Sequence, residues 1–462
     1  QGNQQLRVNS LRWGLDNWVH CASGGHHVGF GKGTVIVNAA GDSVALGSRD
    51  FRFDPDTGVL EPESGPSQFG RVRDDWGNWF GVQNSWPLWH YVLSDRYLQR
   101  NPTYAAPDPR VQLRTPSNPR VYPNKAIQKR FHSYEQAGRY TSACGPSIYR
   151  DELLFPREAE AFTAFTCEPF HNVVQRHRIE RVGVSFKGDR AEEDGERDFF
   201  ASGDRWCRPV MSRTGPDGGL YIVDMYRYMI EHPDWLPPEG REELKPFYRS
   251  GEDRGRIYRI RRVDAPLRKV SPVDVTDVDQ LIQSLASVNG IIRDLAHRYL
   301  LSAALSEENK NALGEMALRG NPMARLHALC ILDGKSALSS AVLSDAVKSG
   351  SGDLRRNALR IAEHHEASQS RVAGWLTHHA HDPDPSVKLQ AIFGLGEVEG
   401  IAAGEGLVEA AKNPSNNGDF FRAAIMSSAP QHLGTMAAAV NGLPSEFSRP
   451  LFALAWGGPA MI

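Results

Sequence analysis

The sequence predicts a chain that is β first and α second: an incomplete β-propeller of about four blades, then a HEAT-like α-solenoid. Three observations carry this. A turn of Asp with Asn or Gly that delivers an aromatic residue into a strand recurs at "WGLDNWVH" (13–20), "RDDWGNWFGV" (73–82) and "GPDGGLYIVD" (215–224), with a weaker relative at "CGPSIY" (144–149). Eight of the ten tryptophans lie before residue 262. Beyond it, Ala296, Ala328, Ala358, Ala391 and Ala424 follow one another at spacings of 32, 30, 33 and 33 residues.

The turn starts stand roughly sixty to seventy residues apart, which suits one four-stranded blade with generous loops. Between them, "VALGSRDFRFDPDTGVL", "FTAFTCEPFHNVVQRHRIE" and "GRIYRIRR" are strand-length apolar or alternating runs, so residues 1–265 are expected to be sheet. In the third turn, Pro216-Asp217-Gly218-Gly219 supplies the fixed and the positive φ of a tight hairpin that feeds a strand over 220–223. Asp224 and Arg227 then stand at the strand's exit, and Glu231 to Trp235 form a loop over the rim. Residues 266–280 are a linker, and 281–462 carry the helical repeats. There the periodic alanine lets neighbouring helices approach, and a basic residue stands three positions before each of the first four. "NPMAR" and "DPDPSVK" place capping residues and Pro at helix starts. Adjacent histidines on a helix point about 100° apart, so His364, His365, His378, His379 and His381 are expected to be polar surface between repeats rather than a metal site.

Composition narrows the function. With 53 Lys and Arg against 55 Asp and Glu, no net field draws in nucleic acid or an anionic membrane. No run of about 18 apolar residues exists, so no membrane span is expected. The five cysteines contain no CxxC or CxxCH, which leaves isolated thiols or a Cys144–Cys167 bridge.

"LRWGLDNWVH", "GSRDFRFDPDTG", "DDWGNWFGVQNSWPLWHYVL", "YTSACGPSIYRDELL", "CEPFHNVVQR", "DRWCRPV", "GPDGGLYIVDMYRYMIEHPDW" and "RGRIYRIRR" together resemble the planctomycete (PVC-type) membrane-bound dehydrogenase or haem-binding family. The match covers residues 6–262 in order, and the helical repeats follow as they do there. The resemblance implies a propeller similar to quinoprotein glucose dehydrogenases, HEAT repeats, and in many members a C-terminal cytochrome c domain. By this likeness the chain is an exported fragment, with blades expected before Gln1 and a haem module expected beyond Ile462. Pyrroloquinoline quinone (PQQ) with calcium is the cofactor pair implied, and haem c is expected only on a missing domain or a partner.

A propeller gathers loops from every blade around one channel, so distant residues can converge there. Removing a proton from an alcohol needs a base with a pKa near the working pH, and histidine is the default. His171 comes first, because it follows a strand-like run and has Asn172 beside it; His132 in "RFHSYE" comes second. Arg208 and Arg227 suit an anionic or quinoid ligand, and Asp224, His90, Asn84 and Asp16 complete the polar set. Each also has a plain structural reading: an Asp at a strand exit caps a turn, and Arg227 can pair with Asp224 or Glu231.

Two functions follow. One is an oxidoreductase that oxidises a sugar or related alcohol in the propeller channel and passes electrons to a cytochrome c-type acceptor. The other is a non-catalytic module whose propeller binds a glycan or protein while the solenoid docks a protein partner.

Overall fold

A computed structural model describes residues 7–25, 34–125, 137–158, 160–230, 236, 238–365 and 368–456. His132 and the Glu231 to Trp235 loop lie outside these residues.

The first half folds into four antiparallel sheets. Sheet 1 joins β1 (Asn9–Trp13), β2 (Val19–Ala22), β5 (Asp50–Phe53) and β6 (Leu60–Glu63), with β3 (Val35–Val37) and β4 (Ser43–Ala45) as a separate hairpin. Sheet 2 is a meander of β7 (Arg71–Arg73), β8 (Trp79–Gln83), β9 (Trp86–Tyr91) and β10 (Arg110–Gln112), with α1 (Asp95–Leu98) between the last two. Sheet 3 runs through β11 (Cys144–Ile148), β12 (Ala161–Glu168), β13 (Val173–Val182) and β14 (Ser185–Arg190), and β15 (Phe200–Ala201) also pairs with β13. Sheet 4 holds β16 (Pro209–Thr214), β17 (Leu220–Asp224) and β18 (Arg256–Ile260), with α2 (Pro238–Leu244) before its last strand. The first strands of successive sheets are neighbours: β1 packs on β7, β7 on β11, and β11 on β16.

That stacking demands glycine. The Gly145 φ is +54°, and a Cβ there would stand 2.3 Å from the Val210 carbonyl oxygen on the neighbouring first strand. Gly145→Ala is expected to cost about 3 kcal/mol, because left-handed strain and a backbone clash add. Gly183→Ala, at φ +58° with open space around it, carries the strain alone and is expected to cost about 1 kcal/mol. Urea midpoints of the two variants check this, and equal shifts would remove the clash from the account.

The recurring turn is an Asx turn. Asp74 Oδ1 accepts from the Trp76 and Asn78 amides at 2.9 Å each, Asp217 Oδ1 from the Gly219 amide at 2.9 Å, and Asp16 Oδ1 from the Trp18 amide at 3.4 Å. The weaker relative at 144–149 is no turn but the first strand of sheet 3. Its β signal came from Ile148 and Tyr149, while Cys144-Gly145-Pro146 sits at the tight junction with β16.

The second half is a run of helices, α3 (Val278–Ser284), α4 (Gly290–Ser302), α5 (Glu307–Arg319), α6 (Pro322–Gly334), α7 (Ser340–Val347), α8 (Gly352–Ala362), α9 (Gln369–His379), α10 (Pro385–Leu395), α11 (Ile401–Lys412), α12 (Asp419–Ser428), α13 (Leu433–Ala438) and α14 (Ser445–Trp456). The five periodic alanines fall on α4, α6, α8, α10 and α12 and are fully buried, so the period is a helical hairpin whose second helices pack on one another. Asn289, Ser306, Asn321, Ser339, Ser351 and Asp384 cap their helices by accepting from first-turn amides. His365 bonds the Leu338 carbonyl and His381 bonds Asn413, both across repeats as expected. His379 differs, being buried on Asp382 at 2.8 Å. All five cysteines are free thiols, although Cys144 and Cys167 face each other across β11 and β12. Among the described residues, no helix is long and apolar enough to cross a membrane.

The two halves share a core. Leu15, Leu93 and Tyr97 from the first half belong to the same buried apolar cluster as the helices of the second. Tyr97 on α1 stacks on Phe393 of α10 at 4.4 Å, its hydroxyl reaches Glu363 at 2.9 Å, and Asn101 donates to the Met426 carbonyl at 2.7 Å. The Asx turns are the other docking points. Asn17 donates to the Cys330 carbonyl, Arg356 of α8 donates to Asn78 Oδ1 and the Trp76 carbonyl, and Asn289 at the start of α4 donates to the Gly215 carbonyl.

Candidate functional site

Where sheets 1 and 2 meet α8 and α10 there is a cavity of about 440 Å³. Strand register builds its floor. His20 on β2 stands opposite Arg52 on β5, and Arg52 stands opposite Glu61 on β6, so the three side chains share one face of sheet 1 as a cross-strand row. Trp79 and Tyr91, in register on β8 and β9, bring the wall of sheet 2. Arg356 and Arg360, four residues apart on one face of α8, form the helical wall.

The floor is tightly coupled. Asp16, delivered by the β1–β2 turn, accepts from His20 Nε2 at 3.0 Å and from Arg52 Nη1 at 2.8 Å, and Arg52 also bonds Glu61 at 2.6 Å. Burial alone would raise the Asp16 pKa, but His20, Arg52 and Arg360 pull it well below the usual carboxylate range. His20 is shifted down, with burial outweighing the pull of Asp16, so its imidazole is neutral at pH 7. Its ring stacks on Trp79 at 4.2 Å, and its Nδ1 is buried without a hydrogen bond among the described residues. Arg52 lies over Trp18 at 4.5 Å, and Arg71 is buried against Asp50 at 3.1 Å.

Two residues singled out from the sequence, Asp16 and His90, line this cavity. His90 is buried, bonds Ser185 Oγ at 3.1 Å, and is pushed down to about 3 by burial and then by Arg356 and Arg181.

Most of the others gather elsewhere, at the ends of sheets 3 and 4 away from the Gly215–Gly219 turn. Arg208 joins them: its amide donates to Asp224 Oδ1 at 2.7 Å, and its guanidinium donates to the carbonyls of Pro169 (3.1 Å), Phe170 (3.2 Å), Arg227 (3.0 Å) and Tyr228 (2.6 Å). Asp224 also accepts from the Tyr226 amide and Arg256 Nε, both at 2.8 Å. Arg227 donates to the carbonyls of Met225, Tyr226, Gly251, Glu252 and Arg254. Asn172, at φ +61°, donates to the Cys207 carbonyl, and His171 Nδ1 lies 3.3 Å from Glu168, itself held by Thr141 and Ser142. Asn84 sits apart in the β8–β9 turn, where its amide donates to Gln68 and its carbonyl accepts from the Ala143 amide. His171, Arg208 and Asp224 therefore stand at one end of sheets 3 and 4, the Arg208 guanidinium on backbone carbonyls, Asp224 on backbone amides and Arg256, and His171 on Glu168. Beside them Lys125 has its pKa lowered to about 8 by partial burial and by Arg208 and Arg205.

Arg208 and Arg227, whose donors serve carbonyls, do not fit the carboxylates of a quinone cofactor. Among the described residues, no group of three or more His, Cys, Asp or Glu side chains is arranged to hold a metal ion. His20, Arg52, Glu61 and Arg360 escaped the sequence reading. His20 closes the quoted "WGLDNWVH", but its partnership with Arg52 depends on a strand register that no local pattern encodes.

Fold and site together define a class: an antiparallel sheet segment fused through its hairpin turns to an array of helical hairpins, with a polar cavity at the junction. Residues 1–264 match the family described as Domain of unknown function (DUF7133), more than half of the 462 residues, and the chain belongs to that family. No curated protein matches it.

Proposed function

We propose that the chain is a carbohydrate-binding scaffold, in which the four sheets are an arc of propeller blades, the helices are a HEAT-like solenoid, and the junction cavity takes a mono- or disaccharide. One observation carries it: aromatic residues (Trp18, Trp79, Tyr97) and forked ionic groups (Asp16, Arg52, Glu61) line the same cavity of about 440 Å³. Paired carboxylate and guanidinium groups match vicinal hydroxyls, aromatic faces match the C–H face of a sugar ring, and the volume lies in the small-molecule range. In titration calorimetry against a panel of sugars, the full chain is expected to bind at least one at millimolar concentration or tighter. Trp18→Ala is expected to weaken that binding about tenfold, the loss of roughly 1.4 kcal/mol of aromatic contact. A panel without any binder would overturn the reading.

An oxidoreductase acting on a sugar or related alcohol, with a cytochrome c-type acceptor, is the second reading. Lys125 favours it, because an amine whose pKa is lowered to about 8 by partial burial and by Arg208 and Arg205 is a competent proton acceptor. Sugar-dependent dye reduction that Lys125→Met abolishes would raise it to first place.

A further inference from the structure

We infer that the ligand of the junction cavity is an acidic sugar whose carboxylate is recognised by Arg360; this rests on the carbohydrate reading and narrows it to a substrate class. Five guanidiniums line the cavity, those of Arg52, Arg71, Arg96, Arg356 and Arg360. Four have a carboxylate at hand: Arg52 has Asp16 and Glu61, Arg71 has Asp50 at 3.1 Å, Arg96 has Glu363 at 2.6 Å, and Arg356 has Asp353 at 3.6 Å. Arg360 differs. Among the described residues no carboxylate lies within 4.0 Å of it, and its Nη2 alone is engaged, by the Leu15 carbonyl at 3.1 Å and distantly by Cys330 Sγ at 4.0 Å.

This anchoring matters for recognition. One nitrogen tethered to the β1–β2 turn fixes the guanidinium plane, while Nε and Nη1 make no hydrogen bond among the described residues. A planar, permanently charged donor set held still with unused N–H groups is what a carboxylate needs for paired, charge-assisted hydrogen bonds. Neighbouring charge sets the ligand's limit. Arg360 already helps depress the Asp16 pKa, so an anion on Arg360 also meets the repulsion of Asp16. A singly charged carboxylate tolerates that better than a dianionic phosphate ester. The remaining hydroxyls of a uronic acid would then face the Asp16, Arg52 and Glu61 row.

Titration calorimetry of the full chain and of Arg360→Gln and Arg360→Lys, with glucose, glucuronate and glucose 6-phosphate as probes, tests the assignment. Glucuronate is expected to bind wild type at least tenfold tighter than glucose and tighter than the phosphate, with a preference that shrinks as salt is raised. Arg360→Gln is expected to lose at least tenfold for glucuronate and less than threefold for glucose, while Arg360→Lys keeps part of the preference. Equal binding of glucose and glucuronate by wild type, or a preference that survives in Arg360→Gln, overturns the acidic-sugar assignment alone. Stronger binding of the phosphate overturns the choice of carboxylate. Binding of none of the three probes by wild type overturns this assignment, and the carbohydrate reading falls only if the wider panel is also silent. If Arg360→Gln does not give the wild-type circular dichroism spectrum, the wild-type comparison of the three probes decides.

Discussion

Replacing Asp75 by asparagine is expected to lower the unfolding free energy by about 3–5 kcal/mol, the usual cost of removing one partner from a buried ion pair. Asp75 follows the Asx residue of the β7–β8 turn and accepts from Arg150 Nε at 2.6 Å, from Arg293 of α4, and from Arg157 at 3.4 Å. Those guanidiniums overcome the burial that would otherwise raise its pKa and hold it far below the ordinary aspartate value. Arg150 retains Asp294 after the change. Arg293 does not: its side chain is 1% exposed, its Nε is already buried without a hydrogen bond, and Asp75 is the one carboxylate it pairs with among the described residues. The variant leaves a charged guanidinium in the interior with neutral acceptors alone, the Ser287 carbonyl and the asparagine's own amide oxygen, and no carboxylate to balance it among the described residues. Urea denaturation of the full chain measures the loss, and limited proteolysis is expected to cut faster between β18 and α3 as the halves loosen. A change under about 1 kcal/mol would mean that the pair is dispensable.

Acidification is expected to act in a window set by histidine. His90 and His297 are pushed down to about 3 by burial and nearby arginines, and His20, His177 and His327 are shifted down for the same first reason. His297 Nδ1 meets His327 Nδ1 at 2.8 Å and its Nε2 donates to Asn17 Oδ1 at 3.0 Å, so His297 cannot take a second proton without breaking the α4–α6 contact, and a second proton on His327 would sit on an Nε2 that is buried without a hydrogen bond among the described residues. Because these groups have lower pKa values folded than unfolded, the unfolded chain binds more protons below about pH 6.5. Stability is therefore full above that value and falls as pH drops toward 3. At pH 5.5, His90 and His297 are expected to cost about 1.4 kcal/mol each. Carboxylates such as Asp16, whose pKa is depressed, make their losses at lower pH and do not confuse the window between 6.5 and 4.5. Urea midpoints at pH 7.5, 6.5 and 5.5 read the slope, and His297→Asn is expected to flatten it. A flat profile would show that these imidazoles are not held neutral by the fold.

The alanine period and the hairpin turns were legible in the sequence because both are local. One residue type at one helical position, or one carboxylate accepting from amides two to four residues on, is written within a single element. The cavity was legible only in fragments. Asp16 was singled out for the turn it caps, whereas the row His20–Arg52–Glu61 exists only through the pairing of β2 with β5 and of β5 with β6. Arg360 lies in "LRRNALRIAEHH" beside Arg355, which bonds Asp382 and the Ser349 carbonyl, and Arg356, which bonds the β7–β8 turn, and only the packed halves distinguish the one with nitrogens to spare. The expectation for Arg208 and Arg227 was reasonable in kind, since both do stand where strands end. A guanidinium carries five donors, however, and carbonyls at a strand end satisfy it as well as a ligand does.

The hydrogen bonds from the hairpin turns to the helices bear on any attempt to divide this molecule. A cut in the stretch between β18 and α3 looks natural along the chain, yet the halves would part across a surface where Asn17, Asp75, Asn78 and Tyr97 each hold a partner from the other side. Separately expressed pieces are expected to be poorly soluble and to regain order when mixed. An array transplanted from a distant homologue would need its own matching set of turns before it could seat.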